Sequence, residues 1–238
     1  MEIKNTRASA NLAMLEFVAE KLASLRDDFV FLGGSATAIF IDDPVAPDIR
    51  TTLDVDCIVD VLSLGQYHKI EKDLMAKGFK KSMEDEVICR WHYDDVILDV
   101  MPTDERILGF SNRWYKAAIQ NFSTYKIKRG LMIKTVTAPY FLATKLEAFK
   151  TRGKKDYLSS HDLEDIITVI DGRLDLMKEI ELSELELRNY LKAEFLNFLQ
   201  DPNFSAYLPG HLNYGAVTMA RAKLVLDRIK KIANLSLD

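Results

Sequence analysis

Apolar residues in the first part of the chain recur at helical spacing and then at strand spacing. From Asn11 to Arg26, Leu12, Leu15, Val18, Ala19, Leu22 and Leu25 fall on one face, which predicts an amphipathic helix. Phe29-Val30-Phe31-Leu32 is a continuous apolar run, the pattern of a buried strand, and Gly33-Gly34 breaks it. Ser35 to Ile41 reads as a helix opening that Ser35 can cap. Leu53 to Val61 alternates. Leu53, Val55, Cys57, Val59 and Val61 share one face, and Asp54, Asp56, Ile58 and Asp60 share the other. Leu64 to Lys77 predicts a helix stopped by Gly78. Met83 to Met101 predicts two strands joined near Asp94-Asp95, the second with Val96, Leu98 and Val100 alternating against Ile97, Asp99 and Met101. A short helix from Trp114 to Gln120 and a hairpin at Arg129-Gly130 complete this part.

Beyond Thr137 the character changes. Thr137 and Pro139 mark a helix start, and helical stretches are predicted at about 139–150, 161–171, 183–200 and 216–234. Ser183 with Glu186 has capping-box spacing. The expectation is an α+β chain: a β-sheet flanked by helices over residues 1–136, then an α-helical domain over 137–238.

The alternation matters for chemistry because Asp54 and Asp56 point the same way, roughly 7 Å apart along the strand. Asp99 lies on a second strand-like run, so the three carboxylates meet if the two strands are neighbours. Such a cluster repels itself unless cations occupy it, and hard oxygen ligands suit Mg²⁺. The upstream Gly-Gly turn at a helix start lets backbone N–H groups approach a phosphate. It is neither a P-loop nor a dinucleotide fingerprint, since no Gly-Lys-Ser/Thr and no Gly-x-Gly-x-x-Gly is present there. Taken singly, an Asp-x-Asp pair is as readily a solvated edge or turn feature, and a Gly-Gly pair is more readily an ordinary strand-to-helix turn.

Together, Gly33-Gly34-Ser35, then Asp54-x-Asp56 about 20 residues on, then Asp99 on a later strand, resemble the polymerase-β-type nucleotidyltransferase superfamily. Downstream, the stretch Thr137 to Phe149, followed by Arg152 and by His161-Asp162-Leu163-Glu164-Asp165-Ile166, resembles the AbiE-type (AbiEii) toxin nucleotidyltransferases of abortive-infection and toxin–antitoxin systems. The resemblance covers roughly residues 25 to 172. It implies a nucleotidyltransferase-type mixed sheet and a metal-dependent transfer of NMP from an NTP to a hydroxyl acceptor, RNA or tRNA first among acceptors. Asp54, Asp56 and Asp99 would be the catalytic and metal-binding set for two Mg²⁺ ions, with Mn²⁺ as a substitute. Gly33, Gly34 and Ser35 would hold the triphosphate. Lys145 would reach the nucleotide phosphates, with Asp162 or Asp165 orienting it. A cognate antitoxin is an implied partner. Many AbiE-type sequences carry a basic or hydroxyl residue just before the Asp-x-Asp strand, and Arg50, Thr51 and Thr52 are all candidates for it. The segment Ile41 to Arg50 is longer than the usual linker.

The formal net charge is −4 over 238 residues, which argues against avid nonspecific nucleic-acid binding. Two basic clusters, Lys126-Ile127-Lys128-Arg129 and Lys150 to Lys155, are the candidate contacts for a phosphate-rich acceptor. No apolar run is long enough to span a bilayer, and Met1-Glu2-Ile3-Lys4-Asn5 lacks a signal core, so a cytoplasmic protein without membrane contact is expected. Cys57 reads as core filler, and Trp91 and Trp114 as packing residues. The scattered histidines have no zinc-like spacing. Two other readings compete: nucleotidyl transfer to a small molecule or protein hydroxyl, and a non-catalytic nucleotide-binding module.

Overall fold

The computed structural model describes residues 6–152, 156–212 and 215–236. The chain forms two compact units, Met1–Ile39 with Arg50–Thr137, and Phe40–Ile49 with Ala138–Asp238.

The first unit is an α+β layer structure. Its elements are α1 (Thr6–Leu22), β1 (Phe29–Leu32), α2 (Gly33–Phe40, whose last residue belongs to the other unit), β2 (Asp54–Val59), α3 (Leu64–Ala76), β3 (Arg90–Tyr93), β4 (Val96–Pro102), α4 (Glu105–Leu108), α5 (Tyr115–Gln120), β5 (Phe122–Lys128) and β6 (Leu131–Val136). The six strands form one sheet in the order β3-β4-β2-β1-β6-β5. It is mixed: β1 runs parallel to β6 and antiparallel to β2, and β2 runs parallel to β4. The outer pairs β3–β4 and β5–β6 are antiparallel hairpins.

The predicted apolar stripes find each other. Leu15, Val18, Ala19 and Leu22 of α1 pack with Phe29, Phe31, Val55, Cys57, Leu98 and Val100, and Tyr67 and Leu74 of α3 join the same cluster. That fills one sheet face. Central β1 is buried at every residue, as its continuous apolar run requires. Trp91 and Trp114 are buried, and both cysteines are buried free thiols.

Several boundaries differ from the sequence reading. Only Arg90 to Tyr93 of the 83–93 stretch is strand, because its pairing with β4 begins opposite Asp99. Leu53 is exposed and precedes β2. Helix α2 begins at Gly33, so Ser35 sits inside its first turn rather than capping it.

The second unit contains α6 (Ala138–Thr151), α7 (His161–Gly172), α8 (Leu176–Glu181), α9 (Leu185–Gln200), α10 (Pro202–Tyr207) and α11 (Thr218–Ala233). The short α8 and α10 were not signalled by periodicity, since six residues make too few turns to show a face. Helix α6 is the hub and packs against α7, α8 and α9. Ser183 opens no capping box: its hydroxyl donates to Glu179 O at the end of α8, and Glu184 is the N-cap of α9. The long segment after α2 is absorbed here. The N–H groups of Asp42 and Asp43 both donate to Gly172 O, closing the C-terminus of α7, and Arg221 ties Asp43 to Asp171. No helix of the described residues is long and apolar enough to cross a membrane.

Leu15 is fully buried at the centre of the α1–sheet contact. Leu15→Ala should therefore lower the unfolding free energy by about 2–5 kcal/mol in a urea titration. A loss below about 1 kcal/mol would show that α1 is not part of the core.

Candidate active site

Strand β2 enters its site through a fixed approach. The Asn11 side chain, buried in α1, donates to Arg50 O at 3.1 Å and accepts from Thr52 N at 3.4 Å. This amide clamp sets the backbone that presents Thr52, whose hydroxyl donates to Asp54 Oδ1 at 2.7 Å. One oxygen of Asp54 is thereby oriented before any ligand arrives.

Parallel pairing then aligns the acids. Asp56 lies directly opposite Asp99, and Asp54 opposite Ile97, so Asp54, Asp56 and Asp99 share one face. One carboxylate oxygen from each lies within 4.8 Å of the others. The strands bring together the three aspartates that the sequence singled out.

A fourth member was not foreseen. Arg90 is opposite Asp99 in the β3–β4 pairing and binds it through a fork, Nε to Oδ1 at 2.9 Å and Nη2 to Oδ2 at 2.8 Å. The same Nη2 lies 3.7 Å from Asp54 Oδ2. One guanidinium thus faces two of the three acids, Asp99 and Asp54. Its bond to Asp99 raises the Arg90 pKa against the opposing effect of burial, so it stays charged. Arg90 alternates with buried Trp91, which marks the face it occupies. Only the register across β3–β4 puts it beside Asp99.

The site offers hard oxygen donors and no thiolate. Burial, then the charges of Asp56 and Asp99, push the Cys57 thiol well up. Burial, then the charges of Asp99 and Asp56, push the Cys89 thiol up to about 12. Asp54 and Asp56 are half-buried, which leaves room for water or phosphate oxygens to complete a coordination sphere. The donor set fits Mg²⁺ or Mn²⁺, and could hold such an ion.

The two glycines serve different neighbours. Gly33 has φ +75°, and a Cβ there would fall 1.8 Å from Asp56 Oδ2. Any side chain at 33 would displace Asp56 as well as strain the backbone. A Cβ on Gly34 would fall 2.3 Å from Arg50 Nη2 and 3.3 Å from Thr52 Cβ. Of the three residues standing before β2, Arg50 and Thr52 are therefore at the turn. Ser35 is fully buried and its Oγ has no hydrogen-bond partner.

Lys145 and Asp162 belong to the helical unit. The buried Lys145 ammonium lies 3.2 Å from Asp162 Oδ1 and 2.7 Å from Asp165 Oδ2. Arg152 closes on Asp162 with a second fork, at 2.7 and 2.8 Å. Burial pushes the Asp162 carboxyl up. The bond to Arg152 and the charges of Lys145 and Arg152 outweigh it and hold the pKa below the usual value.

Three members of the expected basic clusters are paired with carboxylates. Lys128 bonds Glu16 and Glu20, Lys150 bonds Glu147 and Glu194, and Arg152 bonds Asp162. Gly153, Lys154 and Lys155 lie outside the described residues.

Two outcomes follow. Millimolar Mn²⁺ should raise the thermal midpoint of the chain, with about 2.7 kcal/mol gained at a hundredfold excess over Kd. Asp54→Asn/Asp56→Asn should abolish that gain, and an equal shift in the variant would place the ion elsewhere. The depressed Asp162 pKa contributes stability that is present above the unfolded value of about 3.9 and lost as pH falls through the lower folded value. Wild type should exceed Asp162→Asn by on the order of 1.5–3 kcal/mol at neutral pH. The gap should close on acidification below the carboxylate range, and a constant gap in pH-dependent melts would contradict the pairing.

No family model and no curated protein matches the sequence. Among solved structures, the chain is similar to an antigenic nucleotidyltransferase-like protein from Paracoccidioides brasiliensis, with 22% identity, 87% of this chain and 95% of that one covered, and a TM-score of 0.49. It is also similar to JHP933 from Helicobacter pylori, with 11% identity, 95% of this chain and 91% of that one covered, and a TM-score of 0.50. At 11% identity, the likeness to JHP933 is one of fold.

Proposed function

We propose that the protein is a metal-dependent nucleotidyltransferase that moves NMP from an NTP to a hydroxyl acceptor. The observation that carries this reading is the convergence of Asp54, Asp56 and Asp99 on one face of paired strands, beside a helix that opens on Gly33-Gly34. Asp54, Asp56 and Asp99 would hold the ions. Two bound Mg²⁺ ions would stabilise the attacking and leaving oxygens of an in-line displacement at the α-phosphate.

The chain's own residues supply the rest. Thr52 holds Asp54 in orientation, and Arg90 does the same for Asp99 while balancing one negative charge. Asp99 retains lone pairs beyond those given to Arg90 and takes the proton of the acceptor hydroxyl. The acceptor oxygen bonds the α-phosphorus, the α–β bridging bond breaks, and pyrophosphate leaves. The backbone of Gly33, Gly34 and Ser35 binds the triphosphate at the start of α2. Lys145 contacts nucleotide phosphate, its ammonium oriented by Asp162 and Asp165.

RNA, tRNA in particular, is the first acceptor to test, and a toxin role with a cognate antitoxin rests on the AbiE-type resemblance. The second reading is transfer to a small-molecule or protein hydroxyl. It is favoured by the pairing of Lys128, Lys150 and Arg152 with carboxylates, which leaves less free positive charge for a polyanion.

The test incubates the purified protein with Mg²⁺, each α-labelled NTP and total bacterial RNA, beside an Asp54→Ala/Asp56→Ala variant. Label on an RNA band with wild type, reduced at least about a thousandfold in the variant, is the expected result. Label on protein or on small molecules instead selects the second reading. Bound NTP without transfer to any acceptor overturns the enzymatic reading.

A further inference from the structure

The acidic cluster already contains a cation, and that cation is part of the chain. Arg90 Nη2 lies 2.8 Å from Asp99 Oδ2 and 3.7 Å from Asp54 Oδ2. Asp99 and Asp54 supply two of the three carboxylate donors that lie within 4.8 Å of one another. The guanidinium therefore stands among the donors that a metal ion would use. A divalent ion entering there meets a fixed positive charge at short range. Solvent screens it poorly, because the Asp99 side chain is 9% exposed and the Arg90 side chain 23%.

The guanidinium has little freedom to withdraw. Its Nε donates to Asp99 Oδ1 at 2.9 Å, so one planar fork engages both Asp99 oxygens. Pairing with β4 fixes the Arg90 backbone opposite Asp99. Fully buried Trp91 anchors the next position in the core on the other sheet face. On the site's own face, strand alternation puts His92 beside Arg90, and His92 Nε2 lies 2.6 Å from Asp85 Oδ2. The Asp85 charge adds to the attraction that keeps the guanidinium charged. Arg90 is thus held by a strand register and not by a loop that could swing aside.

We propose that Arg90 is a resident counter-ion that opposes uptake of a free divalent cation by Asp54, Asp56 and Asp99, so that the ion enters together with an anionic nucleotide. This inference rests on the nucleotidyltransferase reading and goes beyond the orienting role that Arg90 has there. The physical reason is the sign of the incoming charge. Bare Mn²⁺ is repelled by the guanidinium, whereas the complex of Mn²⁺ with ATP is a net anion and is attracted by it. One residue then discriminates against the bare ion and in favour of the loaded nucleotide. Arg90 acts through the aspartates as a positioning residue and takes no part in making or breaking bonds.

The test is calorimetric titration of the full chain with Mn²⁺ alone and, separately, with the Mn²⁺ complex of ATP. Arg90→Gln should tighten binding of Mn²⁺ alone by at least about tenfold and should not tighten binding of the ATP complex. Damage to the fold would lower both affinities, so a gain for the bare ion alone separates the charge effect from a structural one. Arg90→Lys keeps the charge and should hold the Mn²⁺ affinity within about threefold of wild type. Arg90→Met, which keeps an apolar stem, takes the place of Arg90→Gln should the latter fail to melt cooperatively. Equal or weaker Mn²⁺ binding in the uncharged variant overturns the proposal, as does a gain in Arg90→Lys as large as in that variant. Absence of Mn²⁺ binding in both wild type and the uncharged variant overturns it together with the metal site. The two readings otherwise fail separately. Tighter Mn²⁺ binding in Arg90→Gln without NMP transfer by wild type sinks the enzymatic reading alone, whereas NMP transfer by wild type with equal Mn²⁺ affinity in the two proteins sinks the Arg90 assignment alone.

Discussion

Three carboxylates held within a few ångströms are the constraint around which the first unit is organised. Like charges at that range repel, and a folded chain keeps them together only by supplying compensation or leaving room for a cation. Parallel pairing of β2 with β4 is what imposes the proximity, because it sets Asp56 directly beside Asp99 on one face. Parallel neighbours need a crossover, and here the connection carries α3 and then β3. That same connection delivers Arg90 to the far side of Asp99. The compensating charge is thus a product of the topology that creates the repulsion.

The remaining contacts adjust this centre. Gly33 removes the side chain that would collide with Asp56, and Thr52 directs an oxygen of Asp54. Asn11 reaches from α1 to hold the approach to β2, so a helix whose apolar face serves the core also carries one buried polar residue that serves the site. The opposite sheet face is closed by α1 and α3, which gives the strands a rigid backing. A site built on paired strands holds its geometry better than one on loops.

The helical unit handles charge differently. Lys145, Asp162 and Asp165 are all buried, and the cost of desolvating them is offset only because each ammonium and carboxylate finds a partner. Arg152 adds a fork to Asp162 from a more exposed position. The two acids hold the ammonium of this buried lysine in a fixed orientation.

The fold class and the acidic set were legible in the residues alone. Strong periodicities carry their own register: α1, β1, β2 and β4 follow from spacing, because strand alternation fixes which side chains share a face. Asp54, Asp56 and Asp99 were found for that reason. Arg90 was not, since its relation to Asp99 exists only across two paired strands, and nothing local in Cys89-Arg90-Trp91 encodes a partner nine residues on. Ser35 illustrates the opposite failure. Its local chemistry suggests a helix cap, but α2 starts two residues earlier, at glycines whose place is set by Asp56 and Arg50. The Ile41–Arg50 segment likewise looked like an overlong linker, and its purpose lies in distant partners: Gly172 for the Asp42 and Asp43 backbone, and Arg221 for the Asp43 carboxylate. Sequence alone determined which residues face inward and which faces carry charge. Tertiary structure decided which charges meet, because ion pairs and close approaches depend on chain segments that periodicity cannot place side by side.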